Sequence, residues 1–184
     1  WGLIPFWVKS WEQASSLRQR TFNARSETVF EKPSFRSSIR SKRCLVVVDG
    51  FYEWRDYNKK KYPYYIGLKN RALFAIAGIW DNWRNLETGE IINTFSVITT
   101  PANELLLKVH NIKKRMPVIL SKKQESDWLD LQLNDELLES IMQPYSAIEM
   151  EAYPVQNKIT NLGYNTVDET VTDRFEYSEL PDLD

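Results

Sequence analysis

The stretch Arg43-Cys44-Leu45-Val46-Val47-Val48-Asp49-Gly50-Phe51-Tyr52-Glu53-Trp54 decides the fold class. Residues 44–48 are a short apolar, β-branched run that reads as a buried strand. Asp49-Gly50 is a turn signal, after which a second extended segment covers 51–57. A loop at 58–61 leads into a third strand over 62–68. Further strands are predicted at about 72–80 and 92–99, at 115–120 and at 148–155. Helices fall between them at irregular intervals. Pro33 opens one that runs to about Ser41, and Thr100 before Pro101 reads as the N-cap of another that ends near Val109. Ser121 with Gln124 fits a capping box for a helix through Trp128, and Asn134 caps a helix to about Met142. Strands in runs with scattered helices argue against a regular βαβ wind. The expected class is α+β: a mostly antiparallel, barrel-like curled β-sheet with short flanking helices.

The 184 residues fit a single domain, with an acidic C-terminal tail from about Thr166. A composition of 42% hydrophobic and 27% charged residues excludes a disordered chain. The longest apolar stretch, from Ala72 to Trp80, is 9 residues, about half of what a membrane span needs. No membrane partner is expected, and a cytoplasmic monomer is. The lone Cys44 can make neither an internal disulfide nor a thiolate zinc site. The chain opens on Trp1 and runs at once into an apolar segment, which reads as the interior of a domain that lacks its native N-terminal segment.

The net charge of −1 hides an asymmetry. Residues 1–123 hold 22 Lys/Arg against 10 Asp/Glu, and residues 124–184 hold 2 against 15. From Lys9 to Arg43 there are nine cations and three carboxylates, with aromatics set among them. That pattern suits single-stranded nucleic acid, where cations follow phosphates and rings stack on unpaired bases. It is equally the pattern of solvated helix faces balanced by the acidic end of the chain.

Phosphate-cradling, zinc-protease and nucleophile-elbow motifs are absent, so candidate chemistry rests on isolated polar residues. Glu53 shares a strand face with Phe51 and Arg55 while Tyr52 and Trp54 point the other way. It is either a partly desolvated carboxylate suited to proton transfer or an exposed strand residue paired with Arg55. His110 is the one histidine, so imidazole chemistry near neutral pH falls to it unless it is simply structural. Asn23, Arg25 and Glu27 read as a cap with surface charges, or as an amide and a guanidinium facing a phosphate. Cys44, inside an apolar run, reads as a small buried hydrophobe.

Taken together, several segments resemble the SOS-response-associated peptidase (SRAP) family. They are Trp1-Gly2-Leu3-Ile4-Pro5, Phe22-Asn23-Ala24-Arg25-Ser26-Glu27, the stretch 43–54, Phe95-Ser96-Val97-Ile98-Thr99-Thr100, His110 with Arg115-Met116-Pro117-Val118-Ile119-Leu120, and Tyr153-Pro154-Val155. Asp49-Gly50-Phe51-Tyr52-Glu53-Trp54 is the most specific of them. The resemblance implies a DNA-damage-response protein that senses abasic sites in single-stranded DNA. In the family, removal of the initiator methionine by self-processing exposes an N-terminal cysteine, which then makes a covalent DNA-protein crosslink with the aldehyde of the ring-opened sugar. The activity classes implied are peptidase, hydrolase and abasic-site lyase, with association to the nucleoid when engaged on DNA.

Position by position, the resemblance makes Glu53 the carboxylate that orients and deprotonates the N-terminal cysteine. His110 becomes the residue for sugar ring opening and proton transfer, and Asn23 the amide that orients cysteine and substrate. Arg25 is the phosphate grip and Trp1 part of the aromatic wedge, with Thr100 and Arg115 as weaker DNA contacts. The nucleophile is not in the chain and Cys44, internal and without a free α-amine, is no substitute, so the chain as written is expected to be inactive. The spacer Asn111-Ile112-Lys113-Lys114 is longer than the common family spacing and puts the aim of Arg115 in doubt. No cofactor and no metal are implied. Two other readings remain: a thiol-dependent autopeptidase, and a non-catalytic module that binds single-stranded nucleic acid.

Overall fold

The structure, a computed structural model, describes residues 1–70, 73–160 and 169–183. The α+β class is present, with a curled, mostly antiparallel sheet and short helices. The described chain divides into two compact units.

The first unit takes residues 1–47, 75–100 and 117–144. Its sheet is ordered β1 (Asn23–Arg25), β6 (Ile91–Pro101), β5 (Phe74–Arg84), β2 (Arg43–Val48), with the short β8 (Ile119–Leu120) beside β5. β1 runs parallel to β6, with Asn23 opposite Val97 and Arg25 opposite Thr99. β5 and β6 form an antiparallel hairpin from Gly78–Val97 out to Arg84–Ile91. Its turn is tied by the Asn85 side-chain oxygen, which accepts from the Glu87 N–H at 2.9 Å, and Gly89 supplies a φ of +75°. β5 thus extends past the Trp80 end expected for it; the expected start at Ala72 lies outside the described residues.

Alternation along these strands sends Ala24, Ala77, Ile79 and Ile98 inward, where they meet Leu3, Ile39, Val118 and Trp128. α1 (Trp11–Arg18) is capped by Ser10 and adds Ala14 to a second cluster with Ile4, Val8 and Trp83. The capping box at Ser121 and Gln124 opens α4 (Lys122–Leu129), and Asn134 caps α5 (Asp135–Ile141), both as the sequence predicts.

The second unit takes residues 48–74, 101–116 and 145–184, of which 71–72, 161–168 and 184 are outside the described set. Its sheet is β3 (Gly50–Tyr57), β4 (Lys60–Leu68), β9 (Met150–Pro154), antiparallel throughout. The expected four-residue loop after Tyr57 tightens to two residues. Asn58 and Lys59 both adopt positive φ, 48° and 62°, which matches a hairpin turn to the twist of its strands. Gly50 is required by packing, since a Cβ there would lie 2.2 Å from Cζ of Tyr65.

Three expectations are corrected. The helix predicted from Pro33 shortens to α2 (Ser38–Ser41), preceded by turns. The strand predicted over 115–120 is two pieces, β7 (Arg115–Pro117) and β8; Pro117 has no N–H to continue a ladder. Thr100 is not a helix cap. It belongs to β6, is buried, and donates its hydroxyl to the Met142 carbonyl at 3.0 Å. The cap of α3 (Glu104–Val109) is Asn103, whose side chain accepts from the Leu106 N–H at 2.9 Å. The described acidic tail lies along β4 and β9: Phe175 N–H donates to the Pro154 carbonyl, and the Tyr177 hydroxyl to that of Val155. Tyr62 and Lys60 both hold Glu179.

Candidate active site

Glu53 sits mid-strand on β3, and His110 follows the last turn of α3 as its C-cap, with φ −86° and ψ 53°. Both belong to the second unit, and the fold brings them into contact. His110 Nδ1 lies 3.3 Å from Glu53 Oε1 and 3.0 Å from the Arg115 carbonyl oxygen. The side chains are 15% and 24% exposed, so the pair is largely withdrawn from water yet reachable. Burial pushes the Glu53 carboxyl above the ordinary carboxylate range. The charge of His110, the Trp54 N–H and the charge of Lys113 pull the other way without cancelling it. Because carbonyl and carboxylate oxygens both accept, the proton belongs on Nδ1, which leaves Nε2 as the ring's free face.

Glu53 is therefore not the partner of Arg55. That guanidinium donates instead to the Tyr64 hydroxyl at 3.1 Å and to the Pro181 carbonyl at 2.5 Å.

The loop after His110 is closed on itself. The Lys114 N–H donates to the His110 carbonyl at 2.8 Å, and Lys114 accepts a φ of +54° to do so. Asn111, which no sequence motif singled out, donates from Nδ2 to the Asp56 carbonyl at 2.8 Å and accepts at Oδ1 from the Asp56 N–H at 3.1 Å. Its position beside the sole imidazole was the one available signal. Arg115 is half-buried on β7, and its carbonyl takes the His110 contact.

In the first unit, β1 points Ala24 into the core and leaves Asn23 and Arg25 exposed on one face. Trp1 is 56% exposed and stacks on Phe95 (centroids 6.5 Å apart, 11° between planes), with the edge of Phe22 at 5.4 Å. Its Nε1 donates to the Phe22 carbonyl at 2.8 Å, so the platform is fixed.

The basic stretch from Lys9 to Arg43 is partly structural. Arg43 is buried, Lys42 pairs with buried Asp81 at 2.5 Å, and Arg40 pairs with Asp135. Lys9, Arg20, Arg25, Lys32 and Arg36 remain exposed.

Among the described residues no group of three or more His, Cys, Asp or Glu could hold a metal, and no helix is long and apolar enough to cross a membrane.

The chain matches the family described as SOS response associated peptidase (SRAP) over residues 1–162. It belongs to the SRAP family. The SRAP chain is 43% identical over 168 residues to the abasic site processing protein YoqW of Bacillus subtilis, covering 90% of itself and 71% of that protein. It is 34% identical over 149 residues to the abasic site processing protein HMCES of Xenopus tropicalis, covering 71% and 43%. A crystal structure of a Bacteroides thetaiotaomicron protein superposes with a TM-score of 0.92 at 44% identity, over 96% of this chain and 75% of that one. Both of these relatives are named as abasic site processing proteins.

Proposed function

We propose that this SRAP chain carries the machinery by which the full-length protein captures abasic sites in single-stranded DNA covalently through an N-terminal cysteine. The observation that carries the reading is the contact between Glu53 and His110, a half-buried carboxylate and an imidazole placed for proton transfer.

An α-amine with a reference pKa of about 7.7–8.0 is substantially neutral near pH 7.5, unlike a lysine at about 10.4. Its lone pair adds to the aldehyde carbon of the ring-opened sugar to give a carbinolamine. Loss of water forms the imine, and the neighbouring thiol adds to the imine carbon, its proton ending on the ring nitrogen of a thiazolidine. Glu53 accepts the proton from the amine or thiol. His110 takes up a proton at its open Nε2 and passes it on to the departing sugar or carbinolamine oxygen. Asn23 orients the cysteine, Arg25 grips a flanking phosphate, and Trp1 supplies a stacking face for an unpaired base. Arg115 serves through its carbonyl, which holds the imidazole. Thr100, committed inside the fold, has no such part.

The test uses full-length protein bearing its N-terminal cysteine and an oligonucleotide with one abasic site. An adduct that survives denaturing electrophoresis, forms with abasic but not intact DNA, and is slowed at least about 100-fold by Glu53→Gln supports the reading. A thiol autopeptidase would process peptide and ignore abasic DNA, and a simple binding module would form no adduct.

A further inference from the structure

The edge of β3 is finished by a side chain. β3 pairs with β4 on one side, and on the other the N–H and C=O of Asp56 meet the carboxamide of Asn111 at 3.1 and 2.8 Å. A carboxamide carries one donor and one acceptor at the spacing of a peptide unit, so it reproduces a rung of sheet on an open strand edge. The orientation of the amide follows without choice, because Asp56 N–H can only donate and its C=O can only accept.

The consequence is for the residue next door. His110 leaves α3 with its N–H still bonded to the Leu106 carbonyl at 2.8 Å, and its own carbonyl closes the turn with Lys114 N–H at 2.8 Å. Those two bonds tie His110 to its own helix and loop. Apart from the His110–Glu53 contact and the charge of Lys113 near Glu53, the polar tie among the described residues between that loop and β3 is Asn111, whose partner Asp56 lies three positions along the strand from Glu53. Without it the ring is held by its own contacts to Glu53 and the Arg115 carbonyl alone, on a loop with a positive φ at Lys114.

We propose that Asn111 is a positioning residue: by pairing with the backbone of Asp56 it holds Nδ1 of His110 between Glu53 and the Arg115 carbonyl, and so keeps the proton on Nδ1 and Nε2 open. Its catalytic meaning rests on the proposed function. The geometric claim does not.

His110 is the one histidine in the chain, so its two ring nitrogens give unambiguous signals in nitrogen-detected NMR. The neutral ring of the unaltered protein is expected as the Nδ1–H tautomer, and the Asp56 amide as slow to exchange with solvent. Asn111→Asp, which keeps the acceptor and turns an oxygen toward the Asp56 carbonyl, and Asn111→Ala shift the ring toward Nε2–H. In the full-length protein they lower the adduct-forming rate about 10- to 100-fold while the Kd for abasic DNA changes less than about twofold. An unchanged tautomer in a folded variant overturns the proposal. So does rapid exchange of the Asp56 amide in the unaltered protein, a measurement that needs no variant to fold. If the unaltered full-length protein formed no adduct, the functional reading would fall, and the tautomer and exchange results would still judge Asn111.

Discussion

Nδ1 of His110 lies against two oxygens, hydrogen-bonded to the Arg115 carbonyl at 3.0 Å and 3.3 Å from Glu53 Oε1, from two segments that meet only in the folded chain. One is a strand carboxylate and the other a backbone oxygen just past the loop. Together they set the tautomer of the sole imidazole and, with it, which nitrogen is left for a substrate.

Glu53 should leave a signature in stability against pH. Its carboxyl is raised by burial, so folding favours the protonated form. The stability this contributes is complete below the unfolded value of about 4.3 and is lost as pH rises through the higher folded value. Glu53→Gln, which is neutral throughout, should therefore melt above the unaltered protein at pH 7–8. The difference should vanish below about pH 4. Thermal melts across that range check it; a constant offset at every pH would contradict the assignment.

Arg43 should behave as a structural cation. Its guanidinium donates to the carbonyls of Trp128 (2.6 Å), Asp130 (2.5 Å) and Ile39 (2.8 Å), the ends of two helical segments. Arg43→Ala strands those acceptors and should cost roughly 3 kcal/mol. For a chain of this size that lowers Tm by about 6–12 °C. Arg43→Lys should recover little of it, since an ammonium cannot span three carbonyls as the fork does.

Cys44 should be slow to react. Burial pushes its thiol up to about 11, which leaves little thiolate at pH 8. Alkylation by iodoacetamide in the native protein should run on the order of 100-fold slower than in denaturant. Cys44→Ser should leave adduct formation by the full-length protein unchanged. Loss of the adduct in that variant would move the nucleophile to Cys44.

Arg25 stands exposed on β1 beside Asn23. If it grips a phosphate, Arg25→Ala weakens single-stranded DNA binding irrespective of base sequence. The slope of log K against log salt concentration then falls by about 0.7, one single-strand phosphate contact. Fluorescence anisotropy at several salt concentrations reads both. A weaker Kd with the slope intact would argue for a base or sugar contact instead.

Local signals were legible where neighbouring residues settle the outcome. The capping box at Ser121 and Gln124, the Asn134 cap and the extended segment over 51–57 needed no distant partner, and the structure has all three. Thr100 shows where such signals compete. Thr100-Pro101 and Asn103 are both acceptable helix starts. Burial of Thr100 against Met142 kept its segment in β6 and passed the cap to Asn103, an outcome decided 42 positions away.

What the residues determined alone was a mostly antiparallel α+β chain of recognisable family, with a carboxylate on one strand and a single imidazole elsewhere. That the two touch, that Arg55 turns to Tyr64 and Pro181 instead, and that Asn111 ties the imidazole's loop to Asp56 were settled only by folding. Strand and cap preferences act over three or four residues and leave their mark in adjacent letters. A contact between β3 and the end of α3 depends on packing across dozens of intervening residues, and the identities of the two ends carry no record of the distance between them.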